Sequence, residues 1–262
     1  GLYLLNTGIL SANLVEGIRL PHCPSKRFMR LEKFLAESGV TSRRTAKKYI
    51  QAGRVKVNGE CVRIPGTHIQ PSKSLIEFDE KRIRGKPRKI YLMLHKPPGH
   101  LTTGHDDRGR PTVMDLVQDI PERIYPVGRL DLDTEGLLLM TNDGAFAHKI
   151  THPSYEIQKI YIAWVEGHPD HKAINRLRGG IKIESGQTAP AEIVQLRREK
   201  ERTEFRVVIH EGKKRQIRRM FQAVGHKVVY LRRIQIGLLS LGNLQIGKYR
   251  LLSPAEIDSL TK

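Results

Sequence analysis

The chain has 262 residues, of which 46 are lysine or arginine and 27 are aspartate or glutamate, so its formal net charge is +19. A hydrophobic fraction of 39% is sufficient for packed cores, and no stretch approaches the roughly 20 apolar residues of a membrane-spanning helix. The charge excess favours a polyanionic partner, most simply nucleic acid. The two cysteines lie in unrelated contexts, which argues against a disulfide framework or a zinc site and fits the cytoplasm.

The N-terminal part of the chain is predicted to contain an extension and a small domain. Residues 1–28 lack the positively charged start of a signal peptide, and we interpret them as an irregular extension. Apolar residues at helical spacing then predict two helices, the second capped by Thr41 or Ser42. An asparagine–glycine turn at 58–59 predicts a hairpin. Residues 29–80 are therefore expected to form a compact helix–helix–hairpin domain.

Positive charge is concentrated in this small domain. The second predicted helix has a nearly continuous cationic face, and the following strand adds further basic residues. Such a run can be an ordinary solvated helix face, but few acidic residues balance it here, which favours contacts with RNA phosphates. The candidate RNA-binding residues in this domain are Arg43, Arg44, Lys47, Arg54 and Lys56. Residues 81–89 are basic and contain glycine and proline, which predicts a linker.

Strand-like segments dominate the chain from residue 90 onward. They lack the regular alternation with helices of a parallel-sheet fold, so we predict an α+β domain with a mixed, largely antiparallel sheet and flanking helices. This domain is expected at 90–253, followed by a C-terminal tail at 254–262. Strands are predicted at 90–94, 124–127, 137–140, 160–165, 193–196, 205–209 and 227–231, and helices at 113–117, 145–150, 171–177 and 215–224.

The most informative segment is an acidic loop between two of these strands. Residues 128–136 read Gly-Arg-Leu-Asp-Leu-Asp-Thr-Glu-Gly, and a glycine at either end permits a tight bend. The loop would present Arg129, Asp131 and Asp133 at one end of the sheet, where rigid strands hold functional groups well. Two carboxylates beside an arginine are unusual in so basic a chain, and they mark a candidate functional site.

Five segments resemble the motifs of bacterial ribosomal-RNA pseudouridine synthases that carry an N-terminal S-four-like (alpha-L) RNA-binding domain. They are Lys-Pro-Pro-Gly at 96–99, Gly-Arg-Leu-Asp at 128–131 with its continuation, Lys-Ile-Tyr at 159–161, Gly-Lys-Lys-Arg-Gln-Ile-Arg-Arg-Met at 212–220, and Leu-Arg-Arg-Ile-Gln-Ile-Gly at 231–237. Leu238 stands where a proline is common in the last motif. The small domain at 29–80 likewise resembles the S-four-like domain.

The resemblance implies the isomerisation of a specific uridine in ribosomal RNA to pseudouridine, with the large subunit favoured over the small one. It implies that Asp131 is the catalytic nucleophile or the base that starts glycal formation. It further implies that Tyr161 packs against the target base and that Arg218 forms an ion pair with Asp131. No cofactor or metal is implied. We expect Asp133 to be an acceptor that structures the loop rather than a second catalytic acid.

Cations cluster where the helix predicted at 215–224 begins. The helix dipole disfavours positive charge at this end unless an anion lies nearby, which favours a phosphate or Asp131 beside these residues. The candidate RNA-binding residues of the larger domain are Arg129, Lys213, Lys214, Arg215 and Arg219. The expected partner is ribosomal RNA or a ribosomal precursor particle, with the protein acting as a monomer and without membrane contact.

Two other functions fit parts of the sequence. A non-catalytic RNA-binding factor for ribosome assembly would account for the charge and the small domain equally well. It does not, however, require Asp131, Tyr161 and Arg218 together. A nucleic-acid hydrolase with a metal held by Asp131 and Asp133 would depend on that metal. Because the catalytic set is intact, we expect a synthase.

Overall fold

The structure, a computed structural model, describes residues 28–83 and 87–261. Most of the predicted extension, 1–27, and residues 84–86 of the predicted linker lie outside the described residues. Within the described ranges, no helix is long and apolar enough to cross a membrane.

Residues 28–83 form two helices and two small sheets around one core. Leu31 and Leu35 from the first helix and Ala46 and Ile50 from the second pack together in this core. The elements are β1 (Met29–Arg30), α1 (Leu31–Glu37), α2 (Arg43–Gln51), β2 (Val55–Val57), β3 (Glu60–Val62), β4 (His68–Ile69), β5 (Ile76–Phe78) and β6 (Lys81–Arg82).

Local sequence signals account for this unit. The side-chain oxygen of Ser42 accepts a hydrogen bond from Thr45 N at 3.0 Å and caps α2, as one of the two predicted caps. Asn58 (φ 53°) and Gly59 (φ 86°) form the predicted turn between β2 and β3. Strand β6 pairs with β5, so the first two residues of the linker predicted at 81–89 belong to the small sheet.

Residues 87–261 contain the larger sheet and its flanking helices. The strands are β7 (Tyr91–Lys96), β8 (Tyr125–Val127), β9 (Glu135–Thr141), β10 (Lys159–Glu166), β11 (Lys182–Ile183), β12 (Gly186–Gln187), β13 (Glu192–Arg198), β14 (Arg202–Ile209), β15 (Val228–Ile236), β16 (Leu239–Ser240) and β17 (Tyr249–Leu251). The helices are α3 (Gly144–Thr151), α4 (His171–Arg178), α5 (Gln216–Gln222) and α6 (Pro254–Thr261), with 3₁₀ turns at Val113–Leu116 and Pro153–Tyr155.

The large sheet has nine strands, in the order β13-β14-β10-β15-β9-β7-β17, with β16 beside β15 and β8 beside β9. Neighbours run antiparallel except β15 and β9, which are parallel, so the predicted mixed, largely antiparallel sheet is confirmed. Buried residues of α4 and α5 pack in the core on one face. Buried residues of α3 and α6 pack in a second core on the other face. The sheet therefore lies between two helical layers.

Three elements differ from the sequence-based expectation. The helix predicted at 113–117 is a single 3₁₀ turn. The helix predicted at 215–224 begins at Gln216, because Arg215 has a left-handed backbone (φ 53°). The segment predicted as a C-terminal tail contains α6, and its Leu260 is buried in the same cluster as Phe146 and Ile150.

One close backbone approach joins the acidic loop to the centre of the sheet. Gly136 in β9 has φ 116° and lies opposite Arg233 of β15 in the parallel pair. A Cβ atom at Gly136 would lie 2.2 Å from the main-chain oxygen of Arg233, so only glycine fits without a backbone shift. The loop at 128–134 is thereby held beside β15.

The substitution Gly136→Ala tests this contact. Positive φ alone costs a non-glycine residue about 1–2 kcal/mol, and the clash with a backbone oxygen adds about 1–3 kcal/mol. The control is Gly247→Ala, where φ is +75° but no atom lies within 4 Å of the added Cβ. Urea unfolding should show a clearly larger loss of stability for Gly136→Ala. Equal losses for the two variants would contradict the close approach.

Candidate active site

A cavity of about 750 Å³ opens where the loop at 128–134 faces the large sheet and the segment before α5. Asp131 and Tyr161 both line it, so the two residues share one site. The other lining side chains with positive charge are Arg129, Lys159, Lys213, Lys214, Arg215 and Arg233. The cavity is therefore mainly cationic, and its two lining carboxylates are Asp131 from the loop and Glu211, which pairs with Lys213.

Lys96, at the end of β7, is fully buried and holds the loop from below. Its Nζ donates hydrogen bonds to the main-chain oxygens of Asp131 (3.1 Å) and Thr134 (2.9 Å). Burial lowers the pKa of Lys96 to about 8, and the negative charges of Asp133 and Asp131 act in the opposite direction. The ammonium group of Lys96 thus fixes the positions of these two main-chain carbonyl groups of the loop.

The turn that follows Lys96 adds further contacts with the loop. Gly99 N donates to the main-chain oxygen of Leu132 at 2.8 Å. Thr102 Oγ1 donates to the main-chain oxygen of Leu130 at 2.7 Å. The Lys-Pro-Pro-Gly segment therefore forms the floor under the loop.

Asp131 presents a partly exposed carboxylate to the cavity. Within residues 28–83 and 87–261 this carboxylate makes no hydrogen bond or ion pair. The expected ion pair between Arg218 and Asp131 is therefore not formed within these residues, and that prediction is wrong for this structure. A turn closed by the hydrogen bond from Thr134 N to Asp131 O (3.1 Å) sends Asp133, rather than Asp131, toward α5. Arg218 contacts Asp133 instead.

Two arginines hold Asp133. Arg215 donates to both of its carboxylate oxygens at 3.1 Å. Nη2 of Arg218 lies 3.3 Å from Oδ2 of Asp133 and donates to its main-chain oxygen at 2.9 Å. Partial burial acts to raise the pKa of Asp133, but the hydrogen bonds from Arg215 and the charge of Arg218 outweigh it and lower that pKa. Asp133 is thus a loop-structuring acceptor, and its engagement argues against a metal site shared with Asp131.

Tyr161 lies on the central strand β10, with its side chain largely buried in the same core as Ala163 and Val165. Side chains alternate along a strand, which puts these three residues on one face. Its hydroxyl accepts a hydrogen bond from Nη1 of Arg233 at 3.3 Å. The ring is therefore fixed from the neighbouring strand β15 while it lines the cavity beside Asp131.

Lys159 and Arg233 line the cavity but were not among the predicted site residues. Burial, together with the nearby charge of Arg233, lowers the pKa of Lys159 to about 8. Lys159 stands two residues before Tyr161 on the same strand, so period-two alternation could have placed it there. Arg233 is only 5% exposed. No sequence signal reveals that burial, because the alternating cationic and apolar run at 231–237 is typical of a half-exposed strand.

The predicted RNA-binding residues fall into two groups. Exposed residues that form no ion pair within the described residues are Arg43, Arg44, Lys47, Arg129 and Lys214. The others have acidic neighbours: Arg54 pairs with Asp79, Lys56 with Glu80, Lys213 with Glu211, Arg215 with Asp133 and Arg219 with Glu184. The unpaired group is the better placed for phosphate contacts.

Comparison with known proteins decides the family. Residues 90–223, just over half of the chain, match the family described as RNA pseudouridylate synthase. The chain belongs to this family. Residues 29–74 match the S4 domain, which confirms the nature of the small unit before the synthase domain.

Similar proteins align with most of the length of this chain. An uncharacterized RNA pseudouridine synthase of Aquifex aeolicus (strain VF5) is 46% identical over 235 residues, which is 89% of this chain and 94% of the relative. Ribosomal large subunit pseudouridine synthase B of Bacillus subtilis (strain 168) is 45% identical over 233 residues, with 88% and 95% covered. A solved structure described as the crystal structure of pseudouridylate synthase matches with a TM-score of 0.63 and 32% identity, covering 88% of this chain and 99% of that one.

The different surroundings of the two loop carboxylates predict different effects on stability. Asp133→Asn should lower the free energy of unfolding by roughly 1 kcal/mol, because it weakens a bidentate arginine contact. Asp131→Asn should lower it less, because the Asp131 carboxylate has no hydrogen bond or ion pair among the described residues and acts on its surroundings, Lys96 among them, through its charge alone. Thermal unfolding of both variants tests this contrast. An Asp131→Asn protein destabilised as much as Asp133→Asn would show that Asp131 does form a stabilising ion pair.

Proposed function

We propose that the protein converts a specific uridine of ribosomal RNA to pseudouridine, with large-subunit RNA favoured over small-subunit RNA. The observation that carries this proposal is the unpaired Asp131 carboxylate, which faces the same cationic cavity as Tyr161. The reaction breaks the bond between the ribose C1′ and N1 of uracil and joins C1′ to C5. It involves no net oxidation or reduction, so this residue set needs no redox cofactor.

The RNA must first deliver the uridine into the cavity. Extruding a base from its stack costs a few kcal/mol. We assign the compensating contacts to the exposed cations of α2 in the S4 domain and to Arg129 and Lys214 at the cavity, all of which are free to meet phosphates. These contacts position the RNA, and the cavity selects the base.

Inside the cavity, the side chains have separate roles. Tyr161, held by Arg233, supports the flat face of the extruded base. Asp131 is the nucleophile, or the base that starts glycal formation, and its free oxygen atoms suit either role. Arg218 acts through Asp133, because it fixes the loop that carries Asp131. This differs from the direct ion pair that the sequence suggested.

The preference for large-subunit RNA rests on similarity. The Bacillus subtilis relative named for the large subunit shares 45% identity and nearly the full length of the chain. We place the reaction in the cytoplasm, on ribosomal RNA or on a ribosomal precursor particle, with the protein acting as a monomer. A non-catalytic assembly factor is the alternative, but RNA binding alone does not require an unpaired carboxylate inside a cationic cavity.

Release of tritium from C5-labelled uridine tests the proposed reaction, because the C5 hydrogen is lost when C5 joins the ribose. Wild-type protein without added metal should release tritium from large-subunit transcripts or precursor particles, and less from small-subunit RNA. Asp131→Asn should release none while its RNA affinity stays within about threefold, since the amide keeps the shape but loses the charge. Tight binding without release from any of these RNAs would favour the assembly factor instead.

A charge reversal on α2 tests the RNA-binding surface. Arg44→Glu with Lys47→Glu should weaken RNA binding and reduce the salt dependence of the affinity by about one unit of slope per lost phosphate contact. The control, Lys172→Glu with Arg176→Glu, makes the same charge change on exposed residues of α4. If both pairs lower the salt slope equally, α2 is not a specific docking surface.

A further inference from the structure

Arg233 is a buried arginine with one unused donor. Its Nε donates to the main-chain oxygen of Leu137 at 2.8 Å, and its Nη1 donates to the Tyr161 hydroxyl at 3.3 Å. The third nitrogen, Nη2, is buried and has no hydrogen-bond partner in the described parts of the chain. No carboxylate within those parts lies at ion-pair distance from Arg233.

A buried guanidinium without a counter-ion is unfavourable, and an unpaired buried donor adds to the penalty. The neighbouring charged group does not relieve it, because Lys159 is also a cation and its pKa is lowered by burial and by Arg233. Both residues line the cavity that holds Asp131. An acceptor with negative charge in this cavity would satisfy Nη2 and offset the two positive charges.

The reaction itself produces such an acceptor. When Asp131 attacks C1′, a bond forms between its carboxylate oxygen and C1′, while the C1′–N1 bond breaks and its electron pair stays on the base. When Asp131 instead removes the proton from C2′, the electron pair of that bond forms the C1′–C2′ double bond and the same C1′–N1 pair leaves with the base. In both routes the detached uracil carries one negative charge over N1, O2 and O4. That charge disappears when C5 bonds to C1′. In the first route the bond between C1′ and Asp131 then breaks and its electron pair returns to the carboxylate, and in the second route Asp131 returns its proton to C2′. Finally the C5 proton passes to solvent and N1 takes up a proton.

We propose that Arg233 donates from Nη2 to a carbonyl oxygen of the uracil and stabilises the negative charge that the base carries after the glycosidic bond breaks. Lys159 adds a second positive charge on the same side of the cavity. This role rests on the proposed function and assigns a further catalytic residue to it. The oxygen atoms of intact uridine are only partly negative, so the interaction strengthens during the reaction and accelerates chemistry more than it improves binding.

The test compares Arg233→Gln with wild type in single-turnover reactions on RNA with uridine or 5-fluorouridine at the target position. Fluorine at C5 withdraws electrons and stabilises the uracil anion, so its departure depends less on an added cation. Conversion of the target nucleoside is followed by liquid chromatography and tandem mass spectrometry of digested RNA, because pseudouridine has the same mass as uridine and differs from it in retention and fragmentation. Arg232→Gln, the adjacent arginine whose neighbour is Glu135, is the matched control and should stay within about threefold of wild type.

We expect Arg233→Gln to bind RNA within about threefold of wild type and to lose about 10²-fold in the rate on uridine. On 5-fluorouridine the loss should be at least about tenfold smaller. An equal loss on both substrates would overturn the proposal, because a merely structural role does not distinguish them. An unchanged rate would overturn it as well.

If circular dichroism shows that Arg233→Gln is unfolded, Lys159→Gln takes its place. A loss of rate on uridine that is less than about 10²-fold, and that is smaller again on 5-fluorouridine, supports the proposal. Equal losses of rate on the two substrates contradict it. If wild-type protein consumes neither nucleoside, the proposed function itself fails and this inference fails with it. An active wild type with an unaffected Arg233→Gln would overturn the inference alone.

Discussion

The buried ammonium group of Lys96 holds the loop that carries Asp131. Within a protein interior, one positive charge can bind several carbonyl oxygens, and here they include those of Asp131 and Thr134. The strand β7 that ends in Lys96 pairs with β9, the strand that leaves the loop. Gly136 then lets β9 approach β15 closely enough to bring Arg233 and Tyr161 to the same cavity. The loop, the segment beneath it and the residues Arg233 and Tyr161 are thus all positioned by neighbouring strands at the centre of the sheet.

Within this frame, the two loop aspartates have opposite surroundings. Asp133 is enclosed by Arg215 and Arg218, which suits a group that holds the loop in place. Asp131 has no such partner among the described residues, so its oxygen atoms remain available for substrate. Positive charge near the cavity is nevertheless abundant, and Arg233 contributes a buried part of it. The site therefore separates the arginines that stabilise structure from the charges that can meet RNA.

Much of this architecture can be predicted from the sequence, because it depends on local chemistry. Alternating apolar residues predict the central strands, and the asparagine–glycine turn predicts the first hairpin. Thr41 or Ser42 is predicted to cap the second helix, and Ser42 does so. Contacts between distant segments are harder to predict. The pairing of Arg218 with Asp133 rather than Asp131 depends on the direction of a turn 85 residues earlier in the chain. The burial of Arg233 likewise depends on which strands become its neighbours, and alternation along one strand carries no information about that.

The most direct measurement is a crystal structure of the protein bound to RNA with 5-fluorouridine at the target position. The account predicts an extruded base in the cavity, its ring against Tyr161, and an Asp131 carboxylate oxygen bonded to the ribose or within about 3.5 Å of its C1′ or C2′. Asp133 should keep its contacts with both arginines. A base bound outside the cavity, or an Asp131 that turns away from the ribose to pair with Arg218, would contradict the account.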